Sequence, residues 1–342
     1  MSENINPLLD FARVVECSVK LPSNGSWYDD DNITFNSIGE VDIKAMLPRD
    51  ELLMTNPETL ISGETIIQVI RSCCPGIKRP EDLYYPDVNS LLLGIHKATY
   101  GDTIKVSGIC PKCSGKRLDD YSKLLNEKMN NNDDEKKYDA ISDECIKEIT
   151  EKYSELEKEN KVNLSYQEHT YNIDHLLSQM TFLPSEKIYE SGNGLKIYLT
   201  PYMCKDKTLF MLKNNHTKKV LEKMRTKMFD VMNKEDGYIE NVDELNKSYV
   251  DLSNETTELI ASGIKKIEIS NGMVVTNKEH IREFIMNTSV DVIKDLNNII
   301  EELTSTGVQK TVPMKCNCCE HEWNELFHKY NPSDFFGISS WF

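Results

Sequence analysis

Long apolar runs are missing from this sequence. No stretch of its 342 residues reaches the roughly 18 apolar positions that a membrane-spanning helix requires. The opening MSENINPLLDFARVVEC also lacks the cationic-then-apolar form of a secretory signal, so an unsecreted chain is expected. Positive charge is scarce: 40 Lys plus Arg stand against 56 Asp plus Glu, a formal net charge of −16. Nucleic acid and anionic membranes repel so acidic a chain, which leaves proteins as the expected partners. Catalytic signatures are missing as well. There is no G-x-S-x-G, no H-E-x-x-H, no G-x-x-x-x-G-K-[ST] and no H-x-E ahead of a C-x-x-C. Asp50-Glu51 could be drafted as an acid–base pair, but adjacent carboxylates on a solvated segment ordinarily serve solubility. The residues build no active site, and the chain is expected not to be an enzyme.

Apolar residues make up 39% of the chain and charged residues 28%, with mean hydropathy −0.50. That is the wet end of globular composition, and it carries enough Leu, Ile, Val and Phe for a core. The length suits two modest domains, or one domain with a large insertion. Period-two alternation over 12–21, followed by the turn residues Pro22-Ser23-Asn24-Gly25, predicts a strand and a turn. Ile33-Thr34-Phe35 and residues 41–47 predict further strands. A helix is expected from Gly63-Glu64-Thr65 to the stop at Pro75-Gly76. Another should carry Leu91, Leu92 and Ile95 at helical spacing, with Asp87 as N-cap and Gly101 past its end.

After a strand at 106–109 the composition shifts. Residues 119–161 hold 14 acidic and 8 basic residues around the run Asn130–Lys137, a polar excursion. Strands return near Thr170–Ile173 and Leu195–Leu199, with a hairpin turn at Ser191–Gly194. Residues 205–265 read as helical, with a methionine-rich stripe that suits a packing seam or a soft partner groove. A strand–turn–strand over 267–275, a capping box at Thr276–Glu279 and helices to about Leu303 follow. The apolar ending Phe335–Phe342 should dock on something.

The one pattern that carries chemistry is a pair of C-x-x-C motifs, Cys110/Cys113 and Cys316/Cys319. Ten cysteines in an unsecreted chain imply reduced thiols rather than disulfides. A tight turn after the first Cys of each pair lets two thiolates converge on one ion, and two such knuckles supply the four soft ligands of tetrahedral zinc. With all four positions taken by protein, the zinc would be structural. Cys318 and His321 are alternate ligands. Two unrelated cysteine pairs, or a redox pair, remain the competing reading. Roughly 200 residues separate the pairs, so a shared zinc would clamp distant parts of the chain together.

The order LPSNG-x-x-Y (Leu21 to Tyr28), Asp50-Glu51-Leu52, Ser62-Gly63-Glu64, Leu91-Leu92-Leu93-Gly94-Ile95, Tyr100-Gly101, CPKC, a closing cysteine pair and Asn331–Phe336 resembles the baseplate-hub family of T-even-like contractile-tailed phages. The resemblance covers about 1–116 and 265–342 well and the helical middle poorly. It implies a non-catalytic tail protein, a hub subunit or hub-assembly factor, in contact with other tail and baseplate proteins including the hub and tape measure. It places the chain in the virion tail baseplate, and in the host cytoplasm during assembly.

The expected architecture is α+β: a mixed β/helical body formed by both chain ends, closed by a discontinuous zinc ribbon, with a large mainly helical insertion. Its parts are 1–118 with the first knuckle, the excursion 119–161, a β-hairpin plus helical insertion 162–264, and 265–342 with the second knuckle. Met211, Met224, Met228, Phe335, Phe336 and Trp341 are the expected partner-binding residues, and a homo-oligomer is left open. A structural baseplate or hub subunit is the leading function. The alternatives are a tail-assembly chaperone absent from the mature virion, and a zinc-ribbon nucleic-acid binder using Lys105, Lys112, Lys116 and Arg117.

Overall fold

Helices and short strands alternate irregularly along the chain. The structure, a computed structural model, describes residues 13–28, 31–53, 63–113, 166–192, 194–210, 213, 242–309 and 311–326. In chain order its elements are β1 (Val15–Val19), β2 (Val41–Lys44), α1 (Pro48–Leu53), α2 (Glu64–Cys73), α3 (Tyr85–Tyr100), β3 (Thr103–Ile109), β4 (Tyr166–Asn172), α4 (Ile173–Ser178), β5 (Lys187–Glu190), β6 (Lys196–Leu199), α5 (Val242–Ser262), β7 (Ile264–Glu268), β8 (Val274–Val275), α6 (Lys278–Met286), α7 (Val290–Ser305), β9 (Thr311–Lys315) and β10 (Glu322–Leu326). The class is α+β, and the sheets are small and antiparallel. Two compact units emerge. The larger takes its described residues from before Thr103 and from Ile173–Gln309; the smaller takes them from Thr103–Asn172 and Lys310–His328.

In the larger unit, α3 packs on the β1–β2 ladder. Gly94 sets how closely. A Cβ at that position would fall 2.2 Å from Ile43 Cδ1 and 2.5 Å from Val19 Cγ2, both on buried side chains. The glycine of the Leu91–Ile95 motif is therefore a packing device. Alanine there would gain about 1 kcal/mol of helix propensity, but overpacking a filled core costs about 1–3 kcal/mol. Gly94→Ala should lower stability by about 1 kcal/mol in urea denaturation, and Gly94→Val by more. A stabilised Gly94→Ala would mean that the ladder yields.

The expected N-cap at Asp87 is not what the structure shows. The N-cap lies three residues earlier, at Tyr84, and helix α3 starts at Tyr85, because Pro86 sits readily in a first turn. Asp87 turns inward and is fully buried. Its Oδ1 accepts the Ser23 backbone N–H at 2.9 Å and its Oδ2 accepts the Tyr28 hydroxyl at 2.5 Å. The same Tyr28 oxygen accepts the Tyr84 N–H at 2.8 Å. The Leu21–Tyr28 motif is thus a loop wound onto one carboxylate. Burial pushes the Asp87 carboxyl up to about 6, against the pull of these hydrogen bonds.

Asp50 also departs from expectation. It does not lie on a solvated surface but is 2% exposed. Its Oδ2 accepts the Leu47 N–H and the Ser72 hydroxyl, each at 2.9 Å, and stands 3.6 Å from the Arg13 guanidinium. Arg13 in turn donates to Ala45 O and Ser72 O. The carboxylate therefore ties α1 to α2, an arrangement for architecture rather than proton transfer.

The four-stranded sheet runs in the order β5–β6–β7–β8. Its first hairpin closes through the Ser191–Gly194 turn, with Gly194 N–H on Ser191 O at 2.9 Å. Ile197, Leu199, Ile264 and Ile267 share a core with Ile281, Ile285, Leu296 and Ile300 of α6 and α7, and Trp27 and Tyr84 join it. Helix α6 is capped by Asn277, whose side chain accepts the Glu279 and His280 N–H groups, rather than by the Thr276 box. The expected strand at Ile33–Phe35 is a single bridge, Ile33 to Ile77.

Candidate metal centre

The smaller unit is built from two antiparallel pairs, β3 with β4 and β9 with β10. Strand β3 alternates strictly, with Ile104, Val106 and Gly108 buried and their neighbours exposed. It ends at Ile109, so Cys110 opens the turn that follows. In the same way β9 ends at Lys315 and Cys316 opens the next turn. Pairing of Lys315 with Glu322 closes that loop, where Cys316 N–H meets His321 O at 2.9 Å and Glu320 N–H meets Cys316 O at 3.0 Å. Each strand end thus delivers one C-x-x-C.

Side chains on one face of β4 stitch the two pairs together. Gln167, His169 and Tyr171 recur at period two. The Gln167 side-chain oxygen accepts the Asn317 N–H at 3.2 Å, His169 Nε2 bonds Lys315 O at 3.0 Å, and the Tyr171 hydroxyl donates to Pro313 O. Pro313 has no N–H to offer a ladder, which explains why side chains do the joining here. The sequence reading missed these three residues, although their alternation in a strand would have pointed to a shared face.

The four sulfurs of Cys110, Cys113, Cys316 and Cys319 lie within 4.8 Å of one another. Cys110 to Cys319 is 3.6 Å, Cys113 to Cys316 is 3.8 Å, and Cys113 to Cys319 is 3.5 Å. A disulfide needs about 2.05 Å, so none of these contacts is a bond. Four sulfurs about 2.3 Å from a tetrahedral ion would stand about 3.8 Å apart. The observed spacing fits that arrangement, and the donor set is one a soft metal ion takes. Four protein thiolates leave no open position for water or substrate, the pattern of a structural site.

The backbone prepares the thiolates. The N–H groups of Lys112 and Cys113 point at Cys110 Sγ, and those of Cys318 and Cys319 at Cys316 Sγ, with Cys318 N at 3.4 Å. Burial raises the Cys110 thiol, and burial with the neighbouring sulfurs raises Cys113 well above the ordinary range. At Cys316 burial also opposes ionisation, but the backbone donors of Cys319 and Cys318 together with the Cys319 and Cys110 thiols bring it down to about 7. Metal binding must therefore displace protons, so acid should oppose loading.

Among the other expected site residues, Cys318 is exposed and outside the four-sulfur group, and His321 stacks on Trp323 at 6.3 Å. Trp323 donates to Glu325 at 2.9 Å. Met211, Met224, Met228, Phe335, Phe336 and Trp341 lie outside the described residues. No described helix is long and apolar enough to cross a membrane.

No curated protein and no solved structure matches the chain. A family model does, over residues 14–239. The match runs through the middle, where a poor fit was expected, and stops before 265–342, where a good one was expected. It takes in the Leu21–Tyr28 loop, the buried Asp50 and Asp87, the Gly94 contact and the first cysteine knuckle. The matched span is about two thirds of the sequence, and the chain belongs to the T4 bacteriophage base plate protein family.

Proposed function

We propose that this protein is a non-catalytic structural subunit of the phage baseplate, at or near the central hub, that holds one zinc ion on Cys110, Cys113, Cys316 and Cys319. Membership in a baseplate family carries the reading, since such proteins sit in the virion tail and act by contact with other tail proteins. The four-sulfur cluster supports the structural half of it. Tetrahedral sulfur sites take zinc or iron; zinc is the redox-silent choice for a clamp. When bound it would supply cohesion only, by holding the knuckle after β3 against the knuckle between β9 and β10.

The nucleic-acid reading loses ground in the smaller unit. Lys105 is paired with Glu168 at 3.2 Å, so part of the local basic cluster is already matched. Two measurements test the proposal. Elemental analysis should find one zinc per chain. Quantitative mass spectrometry of purified tails should find the protein in fixed stoichiometry with other baseplate subunits. Its absence from finished particles would identify an assembly factor instead.

A further inference from the structure

We infer that a cleft in the larger unit is a docking site for an acidic segment of a partner protein. The cleft has a volume of about 310 Å³, and Trp27, Tyr28 and Tyr84 form its aromatic side. Arg79, Lys205, Lys265 and Lys278 line the remainder, against a single carboxylate, Asp82. In a chain whose formal net charge is −16, four cations to one anion is a marked local reversal.

The pairing around the cleft compensates that positive charge only in part. Asp82 is shared between Arg79 at 3.0 Å and Lys205 at 2.7 Å. Lys278 spends its donors on carbonyl oxygens, Ile264 O at the start of β7 at 2.6 Å and Ser262 O at the end of α5 at 3.3 Å, and no carboxylate among the described residues stands at ion-pair distance from it. Lys265 is exposed and has no ion-pair partner among the described residues. Asp206 stands near Lys205 and Lys278 as a further counter-charge outside the cleft lining, its carboxyl pushed above the usual range by burial.

The same features favour carboxylates over phosphates. A peptide can place apolar side chains on the aromatic side while its carboxylates meet the cations, which a free phosphate cannot do. The aromatic side suits apolar side chains between those carboxylates. Tyr28 is also held in place before any ligand arrives, because Asp87 and the Tyr84 N–H fix its hydroxyl. A preordered wall lowers the ordering cost of binding. The inference rests on the protein-contact reading above but does not depend on the metal.

The test is fluorescence anisotropy of a labelled synthetic peptide of alternating glutamate and tyrosine, titrated with the full chain at low salt. Binding should weaken as salt rises, and Lys205→Glu with Lys265→Glu should weaken it by about tenfold or more. Lys294→Glu, which does not line the cleft, should change it by less than about twofold. Inorganic phosphate and a single-stranded oligonucleotide are run as competitors. No peptide binding, equal binding by the double variant, or displacement by phosphate or oligonucleotide at lower concentration than by free peptide would each overturn the inference. None of these outcomes would touch the zinc content or the presence of the protein in tails, so the two readings fail separately.

Discussion

With zinc held on the four sulfurs as proposed, serine in place of Cys110 or Cys316 should abolish metal binding and unfold the smaller unit. The physical reason is how few cross-links join its described strands. Its described strands form two separate two-stranded ladders, and a lone two-stranded hairpin is marginal in water. Three side-chain bonds from β4 join them, each worth about 1 kcal/mol net. A structural zinc in small domains contributes about 10–16 kcal/mol of apparent binding energy at neutral pH. Even a fraction of that exceeds those three bonds and adds to the packing of buried Ile104, Val106, Val312 and Met314. Elemental analysis of Cys316→Ser should show loss of the ion, and hydrogen exchange should show lost protection across β3, β4, β9 and β10. Chelation of the wild-type protein should do the same, as should acid, since the thiols must give up protons to bind. Cys318→Ser should keep the metal because that sulfur lies outside the cluster. Unchanged exchange in a metal-free Cys316→Ser protein would sink the clamp.

Asp87 gives the second large effect. Asp87→Ala would leave the Ser23 N–H and the Tyr28 hydroxyl without their acceptor in a fully buried place. Hydrogen bonds to a charged group and the cost of stranded donors together predict a loss of about 3 kcal/mol or more. The pH dependence gives the mechanism. The folded carboxyl titrates at about 6, above the unfolded value of about 3.9. The folded state therefore holds the proton more tightly in between. This group's favourable contribution is complete below about pH 4 and is lost as pH rises through about 6, a swing of about 3 kcal/mol. Denaturant titrations at several pH values should show wild-type stability falling across that window relative to Asp87→Asn, which has no proton to lose. A flat difference would mean that the carboxylate is already compensated in the fold.

Much of the local structure was legible in residue patterns. The α2 boundary at Pro75, the Ser191–Gly194 turn and the strands around Ile197 and Ile267 follow from period and punctuation, which act over a few residues. The likeness to a phage baseplate family rested on motif order, and the family match upholds it, over a different span than expected. Misreadings have a common origin. Asp87 has the chemistry of an N-cap and Asp50 that of a solubilising surface acid, yet each is buried as an acceptor for segments far away in sequence. No local rule could indicate that Ser23, Tyr28 or Arg13 would come to meet them.

By itself, the sequence determined the α+β class, the net acidic charge and the two knuckles, because composition, period and ligand spacing are written in consecutive residues. Tertiary structure alone decided that Cys110, Cys113, Cys316 and Cys319 share one cluster, that Gly94 is where a helix touches its sheet, and that four scattered cations line one cleft. Each of those depends on which distant segments pack together, and packing is settled by the burial of the whole core rather than by any stretch within it.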